Sequence, residues 1–177
     1  MPTESPEYPL LDGLLAAVAP FVAGALESER RVREGSAPYS TIVRVHLEPL
    51  RVDVACYRAP AVTKTITRDA NQQIVSVDEQ TRGASTTLWR SPLSPPDDPA
   101  HRELADLAAA FLAEGMERLP ATRRTRALQA IEAGDADLIV VVDVAINSVG
   151  GALIAHDNDQ AEPELLFVSR RPRDETD

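Results

Sequence analysis

The stretch "DLIVVVDVAINSVGGALIAHDND", residues 137–159, sets two apolar runs on either side of a short polar break and closes on His156, Asp157, Asn158 and Asp159. Each run has the length of a buried strand, and the pair reads as strands at about 138–146 and 149–156. The four closing residues are turn formers, because Asn and Asp bond their own backbone and tolerate left-handed geometry. Gly150-Gly151 reads as a glycine-permitted turn or bulge. "ELLFVSR" then supplies a last strand at 165–170.

Upstream, the periodicity changes to that of helices. Leu104, Leu107, Ala108, Phe111, Leu112 and Met116 form one stripe over about 100–119, entered through Asp98 as N-cap and Pro99 in the first turn. Pro120 starts a second helix, with Leu128 and Ile131 turned inward and Gly134 as its stop. "SPLSPPDDP", 91–99, is a proline-rich connection. "ASTTLWR" reads as a strand, and "VTKTITRDANQQIVSVDEQT" as a Thr-rich hairpin turning at Asp69-Ala70-Asn71. In "STIVRVHLEPLRVDVACY" the apolar set passes from Val43, Val45 and Leu47 to Leu50, Val52, Val54 and Cys56. That flip of parity demands a bulge or a turn at Glu48-Pro49. Glu-Pro lacks the Gly or Asn of a primed hairpin turn, which favours one long bent strand. An N-terminal helix from Pro9 to about Arg33 should be kinked or split at Pro20 and stopped at Gly35.

The expected fold is therefore a single α+β domain over 9–171, between a flexible lead (1–8) and a flexible tail (172–177). It holds three helices and a largely antiparallel sheet of six to seven strands, in the order α-ββββ-αα-βββ.

Composition narrows the function. A net charge of −10 argues against nucleic acid and anionic membranes as partners. Lys64 is the only lysine among 18 basic residues, a bias that fits a GC-rich bacterial source. Lys64 sits in a Thr-rich strand with no sign of the desolvated pocket that a Schiff-base lysine needs. Cys56 alone forms no internal disulfide, and its alternating apolar setting marks a small buried hydrophobe. Residues 10–28 approach a signal or membrane segment in apolarity, but an acidic lead and the interrupting Asp12 and Pro20 favour a cytoplasmic protein.

Candidates for chemistry are few. His46, His101 and His156 lie too far apart in sequence for a compact metal motif. His156, Asp157 and Asp159 alternate like ligands of a cation loop, though without the glycine such a loop uses. Asp143 interrupts a strand and should share a face with Ile139 and Val141, as a general acid or base or as a partnered carboxylate. Ser148 lacks the flanking glycines and following helix of a nucleophile elbow. Arg123, Arg124 and Arg126, with Arg30-Arg31-Arg33 and Arg170-Arg171-Arg173, could receive an anion if they converged. No cofactor is expected. The leading expectation is a non-catalytic interaction or ligand-binding module, of adaptor, accessory or chaperone-like type, holding another protein or a second copy of itself. The alternatives are a small metal-dependent hydrolase using Asp143, His156 and Asp157, and an anion-binding regulator using the arginines.

Overall fold

The computed structural model describes residues 8–32, 40–58, 61–82, 85–90, 98–157 and 163–171. Helix α1 (Tyr8–Val32) leads into strands β1 (Ser40–Leu47), β2 (Leu50–Arg58), β3 (Ala61–Arg68), β4 (Ile74–Arg82) and β5 (Ser85–Arg90). Helices α2 (Pro99–Arg118) and α3 (Ala121–Glu132) follow, and strands β6 (Ala136–Asp143), β7 (Ser148–Ala155) and β8 (Glu164–Arg170) complete the chain. The α+β class and the element order match the expectation. The expected lead, the Gly35 stop, the proline-rich 91–97 and the tail lie outside the described residues.

All strand pairs are antiparallel, in a six-stranded sheet of order β5-β2-β1-β6-β7-β8 and a separate ribbon of β3 with β4. One face of the large sheet carries the helices. Val43, Val45, Val52, Val54, Cys56, Val140, Val142 and Val149 alternate onto it, and meet Leu11, Leu14 and Val18 of α1 and Leu104, Ala108 and Phe111 of α2. Burying one such aliphatic side chain contributes about 1.5–3 kcal/mol, so this aliphatic layer explains how a chain with few aromatics holds a core. A smaller cluster joins Leu119, Ala127, Ala136, Leu153 and Leu166. Helix α1 is long and apolar enough to cross a membrane; here its buried stripe closes the core.

Several local details depart from the expectations. The parity flip at Glu48-Pro49 is a tight hairpin turn and not a bend in one strand. Leu47 pairs with Leu50, and the Glu48–Pro49 peptide is cis, so the turn belongs to the proline-containing kind instead of the primed, glycine-dependent kind. Helix α1 runs unbroken through an exposed Pro20. On α3 the buried residue is Ala127, while Leu128 faces solvent at 45% exposure. Gly134 ends that helix region in left-handed geometry, φ +71°. Asp98 caps α2 as expected, its Oδ1 accepting from Ala100 N at 3.0 Å.

Gly150-Gly151 is not the turn of its hairpin, which falls at 144–147 with Asn147 at φ +49°. The glycines lie inside β7, where they admit β8. The Phe167 ring occupies the space that a side chain on Gly151 would fill, and a side chain on Gly115 of α2 would overlap the same ring. Phe167 is thus held between two bare backbones, tilted against Phe111 with ring centroids 5.6 Å apart. The β7–β8 register shifts at Gly151/Ala152, so that Leu166 falls between paired residues and turns into the smaller core.

Candidate functional site on the open face of the sheet

The face of the large sheet away from the helices is built by the alternate residues of the same strands. Its rows follow from the register. One runs Arg90, Asp53, Arg44, Val141, Gly150, Val168 across β5, β2, β1, β6, β7 and β8. The next runs Arg51, His46, Ile139, Ala152, Leu165 from β2 to β8. Within these two rows charge lies on β5, β2 and β1, and apolar or small residues on β6, β7 and β8.

In the charged half, Asp53 is only 6% exposed. Its Oδ2 lies 3.3 Å from Arg51 Nη2 and 3.5 Å from His46 Nε2, and its Oδ1 lies 3.7 Å from Arg90 Nε. Arg51 Nη2 in turn lies 3.2 Å from His46 Nε2. Burial pushes the Asp53 carboxyl up, but the His46 hydrogen bond and the charges of Arg51, His46 and Arg90 outweigh it, and the net direction is down. These side chains, with Arg44, Ala55, Tyr57, Leu88 and Ile154, line a cleft of ≈ 230 Å³. A neighbouring cleft of ≈ 210 Å³ joins His46 and Arg51 to Asp137 and His156.

The sequence-predicted residues are dispersed over this framework. His156, at the end of β7, pairs its Nε2 with Asp137 Oδ2 at 2.8 Å, and this bond, ahead of solvent effects and charge, raises its pKa. His156 and Asp157 form the turn expected of them; Asp159 lies outside the described residues. Asp143 is the last residue of β6, not its centre, and its Oδ1 accepts from Ala145 N at 3.1 Å. It stands six residues from Asp137 along one strand, roughly 20 Å at ~3.3 Å per residue. Asp143 and His156 therefore do not meet. His101 pairs with Asp98 at 3.1 Å and packs edge-on against Phe21. Among the described residues no three His, Cys, Asp or Glu side chains gather as a metal site.

The arginines of α3 do not form one site either. Arg123 donates to Leu165 O at 2.8 Å, and Arg124 donates to Glu117 O and Leu119 O at 2.7 and 3.1 Å, closing the end of α2. Arg126 is exposed. Arg171 reaches Asp12 at 3.8 Å; Arg33 and Arg173 lie outside the described residues. The arginines that do converge, Arg44, Arg51 and Arg90, were not singled out from the sequence. The available signal was the outward alternation of Arg44 with His46 and of Arg51 with Asp53. No family model, curated protein or solved structure matches this chain.

Proposed function

We propose that this protein is a non-catalytic protein-interaction module that self-associates, with the β3–β4 ribbon as its interaction arm. The observation that carries the reading is the exposure of that arm. Residues 64–80 are exposed throughout, and Ile66, Ile74, Val75 and Val77 stand 50–65% exposed. Register puts Lys64, Ile66 and Arg68 on one side with Glu79 and Val77, and Thr65 and Thr67 on the other with Ser76, Asp78 and Gln80. Among the described residues the arm's exposed apolar side chains rest on no other element, and a two-stranded ribbon by itself is marginal in water.

The same chain carries a surface of matching chemistry. The apolar half of the open face exposes Leu165 and Val168, each at 45%, around the small Gly150 and Ala152. Two copies related by a two-fold axis could each lay an arm across the other's β6–β8 half, a closed arrangement that uses each arm and each face once. The arm would bring Ile66 and Val77; the partner copy would bring Leu165 and Val168.

Sedimentation of the full chain across a wide concentration range tests this. A dimer is expected, dissociated by Ile66→Asp in the arm and equally by Val168→Asp on the face. A single monomeric species at every concentration, or a dimer indifferent to both substitutions, overturns the proposal.

A further inference from the structure

The proposed self-association leaves the charged half of the open face unused. Arg90, Asp53 and Arg44 are direct cross-strand neighbours, and Arg51 stands two residues along β2 from Asp53. Directly opposed side chains lie about 5 Å apart at their Cβ atoms, and those two apart on one strand about 6.6 Å. Two guanidinium groups, of Arg51 and Arg90, thus face one carboxylate, and Arg44 stands across from it on β1, a local excess of two positive charges in a chain whose net charge is −10. Asp53 turns Oδ2 to Arg51 and His46, while its buried Oδ1 accepts no hydrogen bond and faces Arg90 only at 3.7 Å. Arg44 has no carboxylate partner among the described residues. The buried Arg51 Nε has no hydrogen-bond acceptor.

A cluster of like charges held together by a single buried counter-ion is electrostatically incomplete. Repulsion among the arginines is relieved by a second anion, and guanidinium groups suit planar or tetrahedral oxyanions through paired N–H donors. The cleft is open to such a guest. Arg51 and Arg90 keep 40% and 62% of their side-chain surface accessible, and Leu88, Ala55 and Ile154 offer an apolar wall beside them.

We infer that the Arg44–Arg51–Arg90 cleft is an oxyanion site, with Asp53 as its fixed internal counter-ion and a phosphate or carboxylate group of a small apolar-tailed ligand as its guest. Asp53 orders Arg51 and Arg90 before the ligand arrives, and Arg44 supplies the unspent charge. The site's arginines lie on β1, β2 and β5, and the dimer variants Ile66→Asp and Val168→Asp alter no residue that lines the cleft, so its test does not depend on the dimer.

Isothermal titration of the full chain with inorganic phosphate and, separately, with glutarate reads the site and tells its two chemistries apart. Saturable binding of at least one is expected, weakening as salt is raised. It should fall at least about tenfold in Arg44→Gln, the loss of one charged hydrogen-bonding partner at about 1.5–3 kcal/mol. Arg44→Gln should melt like the parent, since no ion pair is broken. Arg126→Gln on α3 removes the same charge from the helix side of the molecule and should bind like the parent. Absence of saturable binding by both anions, or equal binding by the parent and Arg44→Gln, overturns the inference. So does an equal loss in Arg126→Gln, which would reduce the effect to net charge.

Discussion

Replacing Gly151 with alanine should lower folding stability by about 1–3 kcal/mol, the usual penalty for forcing an extra carbon into a packed core. The size follows from what the new Cβ would meet. It would fall on the Cζ, Cε1 and Cε2 atoms of Phe167, and the opposite side of the same ring is closed by Gly115. The ring cannot shift between the two backbones, so it must swing out and give up its contact with Phe111. Losing the ring altogether, at about 3–5 kcal/mol for a buried Phe→Ala, sets the ceiling. For a domain of this size each kcal/mol moves the melting temperature by about 2–4 °C, which places the fall at about 2–12 °C. Calorimetry on Gly151→Ala, Phe167→Ala and the double variant forms the decisive cycle. With the ring gone, alanine at 151 meets open space and should be neutral or slightly stabilising through the unfolded chain. The expected coupling therefore falls within about 0.5–3 kcal/mol. If Gly151→Ala melts with the parent, or if it loses the same stability with and without Phe167, the sandwich account is wrong.

Two further outcomes concern the carboxylates of the open face. Asp53→Asn leaves Arg51, His46 and Arg90 without their shared anion and should destabilise by about 1–3 kcal/mol. That is less than the cost of breaking a fully buried pair, because the arginines remain partly in water. The pH dependence has a definite sign. The folded pKa of Asp53 lies below its ordinary 3.8, so its contribution is complete above that value and is lost as pH falls through the folded pKa. Acid titration of the two melts should therefore show the gap between parent and Asp53→Asn closing only below about pH 3.8, and a gap that closes near neutrality would contradict the assignment. For His156, proton NMR should find the imidazole titrating above 6.5 in the parent and nearer that value in Asp137→Asn; an unshifted parent would remove the Asp137 bond from solution.

Much of the fold was legible because it rests on period and punctuation. The stripe from Leu104 to Met116, the Asp98-Pro99 start and the turn at Asp69 are local signals, and the structure keeps them; Asp69 Oδ1 accepts from Asn71 N and Gln73 N. The parity flip located the break at Glu48-Pro49 correctly. Its form escaped, since a proline turn carries none of the glycine signature by which hairpins are read. Leu128 was misplaced because hydrophobicity alone ranks it above Ala127, whereas the close approach of α3 to β6 favours the smaller residue. The turn-or-bulge signal of the double glycine meets a register irregularity at Gly151/Ala152, while the space Gly151 leaves for Phe167, sixteen positions away, has no local signal. The cationic cleft was the least legible feature. Arg44, Arg51 and Arg90 are brought together by the β1–β2–β5 pairing, and only register, not spacing, reveals that neighbourhood.

The arm has a consequence for how this protein can vary. Arg58 at the end of β2 pairs directly with Ser85 at the start of β5. The β3–β4 ribbon therefore falls between two directly paired residues, as an insertion into the β1–β2–β5 meander. Ladder hydrogen bonds of the main sheet continue beneath the insertion without it. Amide exchange in the arm should accordingly report local opening, decoupled from global unfolding. A change in the arm's length or sequence leaves the core's packing as it was. Selection can revise this ribbon by itself, while the stability of the scaffold is inherited separately.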